Sequence, residues 1–405
     1  MYIKEIKIQN IRSIENFEMK FEDGEEAGWH VLLGDNGTGK TTILQSIGIG
    51  FLEQVYLINP NFQFKSSSDG STHKGKLDLK IFDYTEHKSQ SVSILFEIIN
   101  NGQLTSFNYS GEQEYINLDK RFIAGYGARR SFDGSSRGLR KFGLGKFGIL
   151  QTLFDSSVLL MDGLDWISRL DYSIKDGKIP EAYLEYLKSF INKTQLLHSI
   201  VMDKIDSSGI YFIDEFGYQM EAQYLSSGNQ SILSLLLDIL RELVEIYGLE
   251  KVFEDIGKEI PSINMPGIIL IDEVDAHLHP TWQTRIGDWF TKYFPNMQFI
   301  VTTHSPLICR GAKNGTIWKL PNPGEMQGVQ KITGLEKDKL VYGDILDAYS
   351  TEAFGKDIER SELGREKLKE FSQLSKKKAY GGNLTEGEQA EYDSLKGVFS
   401  NDAIY

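Results

Sequence analysis

One cysteine in 405 residues, Cys309, leaves no partner for an intrachain disulfide, so the fold has to stand on its core. Long apolar runs are missing as well. None approaches the roughly 18 residues that a membrane helix needs, and the opening MYIKEIKI holds no apolar stretch able to act as a signal peptide. These absences point to a reducing, cytoplasmic setting with no membrane partner. An excess of positive charge is also lacking: 44 basic against 57 acidic residues give a net charge of -13. Generic attraction to nucleic acid or an anionic lipid surface is therefore not expected, and any such contact must come from a local patch. There is no internal repeat and no sustained heptad pattern of the kind a long coiled coil requires. What is present is 40% hydrophobic and 12% aromatic content, enough to bury a sizeable core.

Along the chain, Tyr2, Ile3, Ile6 and Ile8, then Phe17, Met19 and Phe21, follow the alternation of two half-buried strands, an opening hairpin. The apolar run Trp29 to Leu33 leads into a glycine-rich turn and then a helical pattern through Ile43, Leu44, Ile47 and Phe51. Residues 60–75 read as a polar Ser/Gly loop, and strand-like runs follow at 77–83, 92–98 and 121–126. From about 148 to 205 the spacing is helical, with Leu150, Leu153, Phe154 and Val158, then Tyr183, Leu187, Phe190 and Ile191. From 222 to 310 it returns to helix, buried strand, helix, strand. The tail, 351–405, is charged and helical, and Thr385 with Glu388 forms a capping box before Tyr392, Leu395 and Val398.

Four segments carry chemistry. Gly34-Asp35-Asn36-Gly37-Thr38-Gly39-Lys40-Thr41 fits G-x-x-x-x-G-K-S/T and sits between a strand and a helix, as that motif requires. Its glycines let backbone N–H groups curl around a phosphate at a helix N-terminus, where partial positive charge gathers. Lys40 should reach the β- and γ-phosphates, with Thr41 offering a hydroxyl to Mg²⁺. The run Gly267 to Ile271 followed by Asp272 and Glu273 looks like a buried parallel strand ending in two carboxylates. One could serve a metal and the other the attacking water; alone, the pattern also fits a core strand running into an acidic turn. Leu225-Ser226-Ser227-Gly228-Asn229-Gln230 opens an apolar helix and by itself is an ordinary N-cap. Phe299 to Thr303 then His304 is a buried strand ending in a histidine, which by itself also fits a hydrogen-bonding group of the core.

In this order and at these intervals the four segments resemble the ABC ATPase superfamily, in the branch of the chromosome-maintenance, recombination-repair and overcoming-lysogenization-defect ATPases. The resemblance covers about 1–60 and 222–320. It implies an α/β fold, a P-loop NTPase head of ABC type with a mixed sheet and flanking helices, and ATP and Mg²⁺ as cofactors. It implies nucleotide contacts from Asn36, Gly37, Thr38, Gly39, Lys40, Thr41 and Thr42, and from Arg12 in Ile11-Arg12-Ser13, where a surface arginine is an equal reading. Asp272 becomes the metal carboxylate beside Thr41, Glu273 the catalytic base, Asp275 the D-loop residue and His304 the switch histidine. Ser226 and Gly228 become the signature that completes the site of a second copy, in a head-to-tail dimer; Asn229 stands where the family more often has Gln or Glu. The glutamine loop of the family has no glutamine at its expected place after Ile123 to Tyr126, and Gln151 lies further on. The head then occupies 1–147 and 211–345, interrupted by a helical insertion at 148–210 and followed by a helical appendage at 346–405.

The stretch after residue 126 holds Arg129, Arg130, Arg137, Arg140 and Lys141 among glycines. It suits contact with a phosphate backbone, and equally a solvated loop or one paired with an acidic partner surface. Acidic residues after His304 do not form the metal cluster a fused nuclease needs, so none is expected within this sequence. The compact head, the arginine-bearing GYGARRSF, the run Tyr342 to Asp347 and the capped helical pair resemble the PtuA-like ATPases of Septu and of Septu-linked retron antiphage systems. That resemblance implies a separate HNH nuclease as partner, or a retron complex, with the C-terminal helices either a docking site or a stabilising appendage. A recombination or repair ATPase and a slow-turnover nucleotide sensor are the competing readings.

Overall fold

The computed structural model describes residues 1–52, 73–83, 88–98, 104–110, 121–130, 146–155, 163–206, 209–322, 328–344, 348, 351, 362–380 and 382–399. As the alternation predicts, β1 (Tyr2–Ile11) and β2 (Ile14–Lys20) form an antiparallel hairpin. β3 (Gly28–Leu33) is buried along its whole length and feeds α1 (Lys40–Ile49). β4 (His73–Asp83), β5 (Lys88–Ile98) and β6 (Leu104–Ser110) extend the hairpin into an antiparallel sheet of order β2-β1-β4-β5-β6. β4 thus begins inside the segment expected to be a polar loop; the earlier part of that segment lies outside the described residues.

β7 (Phe122–Tyr126) is followed by α2 (Lys146–Phe154), α3 (Gly163–Lys175) and α4 (Ala182–Lys193). The helical expectation, which ran on to 205, fails at its end. β8 (Val201–Asp206), β9 (Gly209–Ile213) and β10 (Gln219–Glu221) make a small antiparallel sheet, order β10-β9-β8. Its buried side chains, Met202, Ile210 and Phe212, alternate over too few residues on each strand to stand out against the helical run before them.

Next come α5 (Ser227–Tyr247), α6 (Leu249–Val252), β11 (Gly267–Ile271), α7 (Pro280–Gln283), α8 (Ile286–Tyr293) and β12 (Met297–Thr303). A short 3-10 segment, Pro306–Asn314, precedes β13 (Ile317–Lys319), β14 (Gln330–Ile332) and α9 (Gly334–Tyr342). The second large sheet runs β14-β13-β3-β12-β11-β7, parallel except for β14. The complete burial of β3, β11 and β12 follows from this, since both faces of a parallel sheet are covered.

α1 lies in the core that joins the two sheets. Ile43, Leu44 and Ile47 pack with Ile3, Ile6 and Ile8 of the first sheet and with Leu32, Ile268, Leu270 and Ile300 of the second. Each such side chain contributes roughly 1.5–3 kcal/mol by leaving water. On the opposite face of the parallel sheet, Trp29 stacks on Phe290 at 6.0 Å, and Phe299 packs against both. One polar clasp also ties the sheets: buried Gln298 accepts from the Ile3 N–H at 2.7 Å and donates to the Ile3 carbonyl at 3.0 Å. Cys309 lies fully buried in the 3-10 segment, and burial pushes its thiol pKa well up.

The chain divides into two units, Met1–Gly343 and Asp344–Tyr405. In the second, helices Glu362–Ala379 and Glu386–Phe399 pack through Phe371, Leu395 and Phe399. The capping box forms as read: the Thr385 N–H donates to Glu388 at 2.8 Å and the Glu388 N–H to Thr385 Oγ1 at 3.3 Å. Among the described residues no helix is long and apolar enough to cross a membrane.

Candidate nucleotide site

Register brings the chemistry to one edge of the parallel sheet. Leu33 lies opposite Thr303, and Ile271 opposite both Val301 and Tyr126, so the loops leaving β3, β12, β11 and β7 emerge side by side at the strands' C-terminal ends. Open α/β sheets bind ligands at that edge.

The loop from Gly34 to Gly39 closes by turns: Thr38 Oγ1 donates to the Asp35 carbonyl at 2.9 Å, and Gly37 and Gly39 have φ of 83° and 93°, a region open to glycine. Asn36 and Gly37 are exposed at its tip. Gly39 then caps α1, so Lys40 is its first residue. The Lys40 ammonium, largely buried, donates to the carbonyls of Gly34 at 2.7 Å and Asp35 at 2.8 Å. Burial lowers its pKa, while Asp272, Glu273, Asp35 and Asp275 pull the other way. One helical residue further, Thr41 Oγ1 donates to Asp272 Oδ2 at 2.6 Å. The first and second motifs are therefore in contact.

Asp272 follows β11 directly, and its other oxygen accepts from Thr302 Oγ1 at 2.6 Å. That hydroxyl in turn accepts the Glu273 N–H at 2.8 Å. Glu273 sits half-buried at φ 45°, uncommon for a residue with a side chain. No group of three or more metal-ligating side chains occurs among the described residues. The donor set, one carboxylate and one hydroxyl at a helix N-terminus, fits Mg²⁺ held mainly by water and phosphate oxygens.

Arg12, at φ 53° in the β1–β2 turn, lies against α1, donating to Gln45 at 2.8 Å and approaching Thr42 Oγ1 at 3.5 Å. Asp275 accepts from Thr303 Oγ1 at 2.5 Å, which ties the loop after β11 to the end of β12. Ser305 Oγ reinforces this link by donating to Gln283 at 2.6 Å. His304, between these two anchors, is half-buried. Ser226 is exposed and caps α5, accepting from the Asn229 N–H at 3.4 Å. Gly228, two residues on, lies against the His277 backbone.

The basic patch needs correction. Arg129 is exposed, but Arg130 is buried at 2% exposure and unavailable for nucleic acid. Its guanidinium donates to the carbonyls of Gly127 and Asp272, both at 2.7 Å, and of Glu273 at 2.8 Å. A cation sealed in a core needs such acceptors, and a backbone turn supplies them. Burial lowers its pKa to about 10, with Asp272, Asp275 and Glu273 opposing, so it stays charged near neutral pH. Arg137, Arg140 and Lys141 lie outside the described residues. The place after β7, where the sequence offers no glutamine, is held by this arginine; Gln151 sits buried within α2. Sequence reasoning places neither Thr302 nor Thr303 at the site, and it assigns Arg130 to nucleic acid or a partner instead. The available signal was that each lies at or just beyond the end of a buried strand whose neighbours carry the motifs.

Strand, phosphate loop and helix, with the lysine folded onto its loop carbonyls and the threonine bonded to the aspartate, define a P-loop ATPase head. Residues 30–310 match the family described as "AAA domain, putative AbiEii toxin, Type IV TA system", and the chain belongs to that family. It is 27% identical over 329 residues to the Septu protein PtuA of Bacillus mycoides (strain KBAB4), covering 78% of this chain and 40% of that protein. It is 29% identical over 331 residues to the Septu protein PtuA of Bacillus thuringiensis, covering 77% and 74%. The retron Vc95 probable ATPase of Vibrio cholerae serotype O1 biovar El Tor is 25% identical over 366 residues, covering 72% and 68%. The chain thus spans well under half of the first of these relatives.

Proposed function

We propose that this protein is the ATPase subunit of a bacterial antiphage system, working in the cytoplasm, in which two heads meet head to tail around ATP and Mg²⁺ and govern a separate HNH nuclease. The observation that carries the ATPase reading is the Thr41–Asp272 hydrogen bond, since it joins two motifs 231 residues apart at the sheet edge where nucleotide binds. The Septu and retron relatives support the antiphage setting.

In this reading Lys40 moves from its loop carbonyls to the β- and γ-phosphates, while the backbone of Asn36 to Thr42 cradles them and Arg12 flanks the nucleotide. Thr41 and Asp272 would hold Mg²⁺, which would neutralise phosphate charge there. Glu273 polarises the attacking water, and His304 contacts the γ-phosphate. Exposed Ser226, with Gly228, completes the site of the facing copy, and Asp275 carries the state of that interface to the switch strand through Thr303. Arg129, Arg137, Arg140 and Lys141 are left for contact with nucleic acid or the partner.

The test is turnover and assembly of wild type and Glu273→Gln. Hydrolysis by wild type, its loss in Glu273→Gln and an ATP-dependent dimer of the variant by light scattering are expected. Equal, negligible rates would favour a nucleotide sensor instead, and strong stimulation by DNA with no HNH protein co-purifying would favour a repair ATPase.

A further inference from the structure

Arg130 is a buried cation that the roles above leave unused. Its planar fork faces one turn of chain: Nη1 donates to the carbonyls of Gly127 and Asp272, and Nη2 to those of Glu273 at 2.8 Å and Val274 at 3.4 Å. Three consecutive carbonyls of the turn after β11 thus converge on a single side chain. Lysine, with three donors on one atom, cannot span that width; a guanidinium, with five in a fixed plane, can.

The turn needs such restraint. Glu273 stands at φ 45°, a conformation that costs on the order of 1–3 kcal/mol and persists where the surroundings over-determine it. From one side Thr302 accepts the Glu273 N–H at 2.8 Å, and the Thr302 carbonyl accepts the Val274 N–H at 3.0 Å. From the other side Arg130 takes the Glu273 carbonyl. The peptides before and after Glu273 are both fixed, and with them the direction in which its Cα–Cβ bond points.

Strand pairing does not require this arginine. β7 and β11 are in register from Phe122 opposite Gly267 to Tyr126 opposite Ile271, and the Asp272 N–H already donates to the Tyr126 carbonyl at 2.8 Å. What Arg130 adds lies beyond the end of the ladder, under the carboxylates.

We propose that Arg130 is a positioning residue for ATP hydrolysis, which holds the turn from Asp272 to Val274 so that the Glu273 carboxylate faces the attacking water. This rests on the reading that Glu273 polarises that water.

The experiment uses the full chain as wild type, Arg130→Met, Arg130→Lys, Glu273→Gln and the double variant Arg130→Met/Glu273→Gln. It measures single-turnover hydrolysis, Kd for a fluorescent ATP analogue and Tm. A general base contributes about 10²–10⁴-fold, so Arg130→Met should lose on the order of 10²-fold in rate with Kd unchanged. Arg130→Lys should fall between, and Arg130→Met should slow the Glu273→Gln protein no further. Arg130→Met that keeps its rate, or that costs the same factor with and without the Glu273 carboxylate, overturns the proposal. If Arg130→Met does not fold, Arg130→Lys decides the matter in the same two backgrounds. Equal rates for wild type and Glu273→Gln would instead strike the reading of Glu273, and the proposal with it.

Discussion

The carbonyl oxygen of His277 occupies the space a side chain at Gly228 would need: a Cβ there would lie 2.9 Å from it. The glycine in the first turn of α5 is thus required by the loop after β11 of its own chain, whatever approaches from outside. His277 is itself at φ 65°, uncommon for a residue with a side chain.

Gly228→Ala should therefore push the first turn of α5 and the loop after β11 apart. The expected stability loss is about 1–3 kcal/mol, the range for overpacking a close contact. Hydrolysis should fall while ATP binding, which rests on α1 and its loop, persists. Chemical denaturation together with nucleotide titration checks both halves.

Thr302→Val keeps the shape of a buried side chain and removes its hydroxyl. The Glu273 N–H loses its acceptor and Asp272 Oδ1 its donor, and leaving such a group unmade costs about 1–3 kcal/mol. Metal dependence should change as well, because Asp272 is then anchored through Thr41 alone. A higher Mg²⁺ requirement for turnover, with a lower Tm, is the expected pair of results.

Gln298→Met offers the contrasting case. It should destabilise the chain by a similar amount, since both Ile3 backbone groups lose their partner. Residue 298 lies toward the opposite end of β12 from Thr303, so turnover measured well below the melting temperature should match wild type. A changed kcat at full folding would show that the clasp between the sheets reaches the site.

His30 gives a pH prediction. It is fully buried between the Thr316 hydroxyl and the Glu26 carbonyl, each 2.9 Å from a ring nitrogen, and desolvation lowers its pKa from 6.5 to about 3. The unfolded chain therefore binds a proton that the folded chain refuses across that window. His30 contributes stability above its unfolded pKa and loses it as pH falls toward 3, at about 1.4 kcal/mol per pH unit. Urea midpoints of wild type and His30→Gln at pH 7, 6 and 5 should converge as the medium is acidified.

Much of this site was legible before any coordinates, for a physical reason. Phosphate loops are local: Gly34 to Thr41 carries its own turn, cap and lysine in one stretch, so spacing alone exposes it. The buried strands at β11 and β12 announced themselves as apolar runs, and their terminal residues followed. Arg130 was misread because its charge and glycine-rich surroundings suit an exposed loop; its burial depends on three carbonyls supplied by residues 272–274, which no window around 130 contains. β8 to β10 escaped for the opposite reason, each strand being too brief for its period to assert itself. Thr302 and Thr303 looked like ordinary strand residues, since a threonine's worth here lies in what the neighbouring strand and loop present to it.

The sealed position of Cys309 has a practical corollary. Its thiol is shut away from solvent and held in the protonated form, so maleimide dyes should pass over the folded chain. A cysteine placed at an exposed site away from the proposed interface, such as Glu215, would then be the sole handle for a fluorophore. Energy transfer between two labelled copies would then test the proposed pairing of heads through a single round of nucleotide use.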